Sequence, residues 1–86
     1  MTSDVIVAID VGGTTMKCAL VRPQGRMLHT ERHPTCPERG ADAVTRDIAD
    51  IAAALAEKAR IDGLTPVAAG IVVPGVVDEI NGVAVW

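Results

Sequence analysis

One short apolar run near the N-terminus, VIVAI at residues 5–9, limits the fold of this 86-residue sequence more than any other feature. The run is too short for a helix, is rich in β-branched residues and lacks the polar alternation of a half-exposed strand. Such a run is typical of a strand that is covered on both faces. We therefore expect a central β-strand, in a domain of the α/β class.

Two more strands are predicted directly after the first. Residues 16–22 form the second, and a Pro-Gln-Gly turn separates it from the third, at residues 26–33. Strands joined by such tight turns run antiparallel. The third strand is the most polar, and its residues His29, Glu31 and His33 share one face at period two. This pattern is expected of an edge strand with one solvated side.

A helix is predicted at about residues 42–61. Asp42 is placed to cap its first turn, and Gly63 is placed to end it. Apolar residues recur through the segment at spacings of three and four, while charged residues occupy the other faces. One apolar stripe should therefore face the sheet, made of Val44, Ile48, Ile51, Leu55 and Ala59.

A second buried strand is predicted at residues 66–73, and the helical crossover favours pairing parallel to the first strand. Residues 74–82 are expected to be loop and turn, and residues 83–86 begin a further element. The order strand, strand, strand, helix, strand opens a ribonuclease-H-like fold with a mixed sheet. Because the chain is short and 49% hydrophobic with one aromatic residue, we expect a truncated domain whose apolar surface normally faces more protein.

Composition excludes several classes of protein. The formal charge is −3 and the eight basic residues are scattered, which argues against a nucleic-acid partner. No run approaches the roughly 20 apolar residues of a membrane span, and no basic segment opens a secretory signal. We expect a cytoplasmic protein with no membrane partner. Cys18 and Cys36 lack the spacing of a zinc or redox motif and are expected to be a buried thiol and a loop thiol.

The segment IDVGGTTMK, residues 9–17, carries the chemistry. Its glycines would let a phosphate reach bare backbone N–H groups, and its hydroxyls and lysine add donors and positive charge. Its acid suits Mg²⁺ or the waters of that ion. The spacing matches neither the P-loop nor the dinucleotide-binding motif. The predicted phosphate contacts are Gly12, Gly13, Thr14, Thr15 and Lys17, with Asp10 associated with Mg²⁺.

A plain β-hairpin turn is the alternative to this phosphate site. Two adjacent glycines suit a tight hairpin, and on the glycines alone the plain turn is favoured. An acid at the end of a buried strand, two threonines and a lysine at the same turn favour the ligand site, because a plain hairpin needs none of them.

Two motifs carry a resemblance to a known family. AIDVGGTTMKCALV, residues 8–21, resembles the phosphate-binding segment of the ROK family of sugar kinases and sugar-responsive repressors, within the actin, Hsp70 and hexokinase superfamily. AAGIVVPGVVDEINGVAVW, residues 68–86, is similar to the family's strand, Pro-Gly-x-x-Asp turn and following strand. The matching positions are Asp10, Gly12, Gly13, Thr14 and Lys17 in the first motif, and Gly70, Pro74, Gly75, Asp78 and Gly82 in the second.

The resemblance implies an ATP-dependent sugar kinase that transfers the γ-phosphoryl group of ATP to a hexose, with glucose as the expected acceptor and Mg²⁺ as cofactor. It implies a partial N-terminal actin-like lobe over residues 1–86, with a phosphate-binding hairpin at 10–17 and a Pro-Gly turn at 74–78. Pro74 and Gly75 would lie near the sugar, and Asp78 is expected to cap the turn. Full-length members of the family often form dimers or tetramers.

The chain also departs from the family pattern. The family's catalytic aspartate in an Asn-Asp pair, its sugar-binding Glu and His and its zinc ligands cannot be placed here, since the only asparagine is Asn81 in an Asn-Gly turn. We therefore expect no catalytic residue and no zinc site in this segment, and no kinase activity from the segment alone.

Three other functions are weighed against the kinase. A ROK-type regulator carries a DNA-binding segment before the glycine turn, and a first strand this close to Met1 favours the kinase. A ribonuclease-H-like nuclease would gather metal ions with Asp10, Asp47 or Asp50, and Asp78. That reading lacks a basic or aromatic surface for nucleic acid and leaves the glycine turn unexplained. A ligand-free structural domain predicts that nucleotide has no effect on stability.

Overall fold

A mixed four-stranded sheet with one helix against it forms the main part of the structure. The computed structural model describes residues 3–72, 76–78 and 83–85. The sheet has the order β3-β2-β1-β4, in which β1 runs antiparallel to β2 and parallel to β4. The predicted order and mixed sheet are therefore confirmed. The elements are β1 (Asp4–Val11), β2 (Thr15–Val21), β3 (Met27–Pro34), a 3₁₀ turn (Pro37–Arg39), α1 (Ala41–Ile61), β4 (Thr65–Val72), β5 (Val76–Asp78) and β6 (Val83–Val85).

Strand β1 is central, as predicted, but α1 covers only one of its faces. Val5, Val7 and Ile9 point to the helix side and are buried. On the opposite face Ala8 is half-buried and Asp10 is exposed. The run at residues 5–9 predicted cover on both faces, and that is not what the described residues show. This open face leaves space beside the end of β1.

Helix α1 packs its apolar stripe on the sheet, as its periodicity predicts. Leu55 and Ala59 are buried, and Val44, Ile48 and Ile51 pack against the same core. Together with β1 they enclose side chains of β2, namely Met16, Cys18 and Leu20. This core holds the N-terminus of α1 and the β1–β2 hairpin at one end of the sheet.

The two ends of α1 differ in how well the sequence predicted them. Asp42 does not cap the helix: the N-cap is Gly40, no side chain bonds there, and Asp42 lies in the first turn. An acid in the first turn still suits the helix dipole. The C-terminus is as expected. Gly63 has a φ of +79°, and the N–H groups of Gly63 and Leu64 donate to the carbonyls of Arg60 and Ala59 at 3.0 and 2.8 Å, which is a Schellman motif.

Strand β4 is not buried, contrary to the prediction. It lies at one edge of the described sheet with β3 at the other, and Val67, Ile71 and Val72 are about half exposed or more. Its apolar run would allow burial on both faces, but α1, which packs on β4 as well as on β1, leaves most of its side chains exposed. No helix in the described residues is long and apolar enough to cross a membrane.

A short hairpin replaces part of the predicted loop at residues 74–82. Val76–Asp78 is a strand, and it pairs antiparallel with Val83–Val85. Pro74, Gly75 and Asn81 lie outside the described residues, and so does the side chain of Asp78. The predicted sugar-proximal turn therefore stays a prediction.

Candidate functional site

The glycine turn is the tip of the hairpin between β1 and β2. Asp10 pairs with Lys17 and Val11 with Met16 at the ends of the two strands, and the N–H of Gly12 donates to the carbonyl of Thr15 at 3.0 Å. Gly13 and Thr14 lie at the exposed tip. The structure thus brings the predicted phosphate contacts together within one hairpin.

The two glycines are there for different reasons. A Cβ at Gly12 would lie 2.7 Å from the carbonyl oxygen of Thr15, a distance that real Cβ atoms do not adopt. A Cβ at Gly13 would meet nothing within 4 Å. Neither glycine has a left-handed φ, whereas two-residue hairpin loops of types I′ and II′ need one at the first central residue. The plain-hairpin alternative therefore accounts for Gly12 but not for Gly13.

The backbone of the tip exposes two unpaired donors. Within the described residues, the N–H groups of Gly13 and Thr14 donate no hydrogen bond, and both residues are exposed. Unpaired N–H groups in an accessible turn form a concavity that suits an anion. The phosphate contacts that the sequence motif predicts at this turn stay a prediction.

Thr35, which follows β3, forms hydrogen bonds to the backbone of the turn, and the sequence analysis did not identify it. Its hydroxyl donates to the carbonyl of Gly12 at 2.8 Å, and its N–H donates to the carbonyl of Thr14 at 3.0 Å. Its side chain is buried, with 3% of its surface exposed. The hydroxyl contact joins positions 23 residues apart, so no local sequence pattern predicts it.

Charged residues line a hollow of about 480 Å³ on the open face of the sheet, just below the turn. Asp10 and Lys17 lie there side by side in register, and Arg32 pairs with Lys17 from β3. Lys17 and Arg32 form no ion pair in the described part of the chain. Arg32 is a second cation that the sequence analysis did not select, because the pairing of β2 with β3 sets its position.

A second hollow, of about 410 Å³, lies on the helix side of the same turn. Gly12 and Gly13 line it together with Thr35, the N-cap Gly40 and the first turn of α1. The predicted site residues are thus divided. Gly12 and Gly13 line the hollow on the helix side, while Asp10 and Lys17 line the hollow on the open face.

The polar face of β3 is paired rather than freely solvated. The carboxylate of Glu31 accepts hydrogen bonds from Nε2 of His29, at 2.8 Å, and from Nε2 of His33. The hydrogen bond from His29, and then that from His33, lower the pKa of Glu31 below its ordinary value. Cys18 is buried opposite Glu31, as predicted, and burial followed by the charge of Glu31 raises the pKa of its thiol.

This arrangement predicts acid sensitivity from Glu31. Because folding lowers the pKa of Glu31, its contribution to stability is present above the ordinary value of 4.5 and is lost as the pH falls below it. The free energy of unfolding in urea, measured at pH 7 and at pH 3.5, should fall less with acid in Glu31→Gln than in the parent. The difference should be under about 1 kcal/mol, because water screens a part-exposed group. Exposed Glu57→Gln is the control, and parallel pH curves for Glu31→Gln and the parent would refute the role of Glu31.

Among the acids of the nuclease hypothesis whose side chains the structure describes, Asp10 does not converge with Asp47 or Asp50. Asp10 is on the open face of the sheet, while Asp47 and Asp50 line a hollow on α1, where Asp47 pairs with Arg39. No group of three metal-ligating side chains occurs in the described part of the chain. The two-metal arrangement therefore has no support from these residues.

The strand order β3-β2-β1-β4, the crossover helix α1 and the glycine hairpin between β1 and β2 have the arrangement expected of the actin-like ATPase class. The chain matches the family model described as ROK family over residues 6–85 and belongs to that family, as its two motifs predicted. No match to a curated protein or to a solved structure was found. Family membership places the chain among proteins that include sugar kinases and sugar-responsive regulators.

Proposed function

We propose that this chain provides the phosphate-binding hairpin of an ATP-dependent sugar kinase that transfers the γ-phosphoryl group of ATP to a hexose. The observation that carries the proposal is the hairpin tip, where the N–H groups of Gly13 and Thr14 are exposed and unpaired within the described residues. Neither a steric clash nor a left-handed backbone conformation requires glycine at position 13. An approaching phosphate gives a reason for glycine there that the fold does not.

The charges around the tip suit a nucleotide polyphosphate. Lys17 and Arg32 would offset phosphate charge from the open face, and the hydroxyls of Thr14 and Thr15 add donors. Asp10 is an exposed carboxylate beside them, which fits a hydrated Mg²⁺ bound through its waters. When bound, Mg²⁺ neutralises phosphate charge. These residues would position the phosphates and offset their charge, the two contributions that dominate the catalysis of phosphoryl transfer.

Membership of the ROK family supports a sugar as the acceptor. We propose a hexose, with glucose first among the candidates, and Pro74 and Gly75 as its neighbours in this chain. No described residue is assigned as the catalytic base, so this chain alone should bind Mg·ATP without transferring phosphate.

The test is a titration of the ¹⁵N-labelled chain with Mg·ATP, followed by NMR. The amide resonances of Gly13 and Thr14 should shift in a saturable way, while adenosine, which has no phosphate, should leave them in place. A parallel assay with glucose should detect no ADP release. Saturable binding of Mg·ATP elsewhere, with the tip resonances unmoved, would refute the proposed site.

A further inference from the structure

We propose that Thr35 is a positioning residue, whose hydroxyl sets the direction in which the N–H of Gly13 points. This inference rests on the proposed function. Thr35 follows β3 directly and is the one buried polar side chain in the part of the chain that the structure describes. Its hydroxyl donates to the carbonyl of Gly12 at 2.8 Å.

The geometry of the peptide bond carries the argument. The carbonyl of Gly12 and the N–H of Gly13 belong to one planar peptide unit, and in the trans form these two groups point in opposite directions. None of the described peptide bonds is cis. The hydroxyl that holds the carbonyl of Gly12 toward Thr35 therefore directs the N–H of Gly13 away from Thr35, and this N–H donates to no described residue.

The hydroxyl is not required to attach β3 to the hairpin. The backbone N–H of Thr35 already donates to the carbonyl of Thr14 at 3.0 Å. A valine at position 35 would keep that bond and nearly the same shape, and would remove only the bond to Gly12. The role of the hydroxyl is thus separable from the attachment of the strand.

Three variants test the role by NMR, at a temperature where each is fully folded. Thr35→Val should move the ligand-free amide resonance of Gly13 and weaken Mg·ATP binding about tenfold, since the N–H is no longer held outward. Thr35→Ser keeps the donor and should restore affinity to within about twofold of the parent. Thr65→Val is the matched control, because it also removes a hydroxyl that is hydrogen-bonded, to Ser3, but at the opposite end of the sheet. Its affinity should equal that of the parent.

The possible outcomes separate this inference from the proposed function. If the parent chain does not bind Mg·ATP, the proposed function fails, and the ligand-free resonance of Gly13 in Thr35→Val still decides whether the hydroxyl orients the turn. An unmoved resonance, or equal Mg·ATP affinity in Thr35→Val and the parent, overturns the positioning role. If Thr35→Val does not fold, Thr35→Ala and Thr35→Ser are compared in the same way, since only serine keeps the donor.

Discussion

Replacement of Gly12 by alanine should destabilise the chain by about 1–3 kcal/mol, the usual cost of forcing an atom into filled space. The new Cβ would lie 2.7 Å from the carbonyl oxygen of Thr15. The obstacle is backbone and cannot rotate away, so the hairpin must open. Opening it breaks the 3.0 Å hydrogen bond from the N–H of Gly12 to the same carbonyl.

The matched control is Gly13→Ala, one residue along the same turn. Its Cβ meets nothing within 4 Å and its φ is not left-handed, so its stability should stay level or rise by up to about 1 kcal/mol through a less flexible unfolded chain. Urea unfolding followed by circular dichroism measures both variants. Equal midpoints for the two would contradict the distinct roles given to these glycines.

The parts of the fold that the sequence predicted well are those set by local pattern. The apolar run of β1 identifies a strand, and the spacing of Leu55 and Ala59 identifies α1 together with its buried side, in both cases without reference to the rest of the chain. Gly63 also ends the helix by its own conformational freedom. Once each element was recognised, short connections left few ways to order the strands.

The errors arose where a partner distant in sequence decides the outcome. An apolar run predicts burial of β4, yet burial depends on what is packed on that strand, and Val67 and Val72 remain exposed. Asp42 has the chemistry of a cap, but the helix begins one residue earlier, at Ala41, so the acid falls inside the first turn. Residue type determines which interactions a side chain can make, and its neighbours in the fold determine which of these form.

In the candidate site, too, the residues set by local pattern were predicted and those set by long-range pairing were not. The motif at residues 10–17 lies on a single hairpin, so sequence alone selected residues that are together in space. Thr35 and Arg32 reach the site through the pairing of β3 with β2, which the spacing of residues does not encode. A long-range register had to be known before either residue could be named.

Replacement of Gly13 by valine should leave the sheet folded and weaken Mg·ATP binding at least a hundredfold, or about 2.7 kcal/mol. The side chain has room in the free protein, so stability should change little. It would, however, cover the exposed N–H groups of Gly13 and Thr14 and occupy the space that a phosphate needs.

Calorimetric titration measures the affinity for Mg·ATP, and the affinity of Gly13→Ala is expected to be intermediate. Ala53→Val places the same side chain on an exposed part of α1, and this variant should bind as the parent does. A folded Gly13→Val with parental affinity would show that the phosphates lie elsewhere, because bulk at the tip and a bound phosphate cannot share the same space.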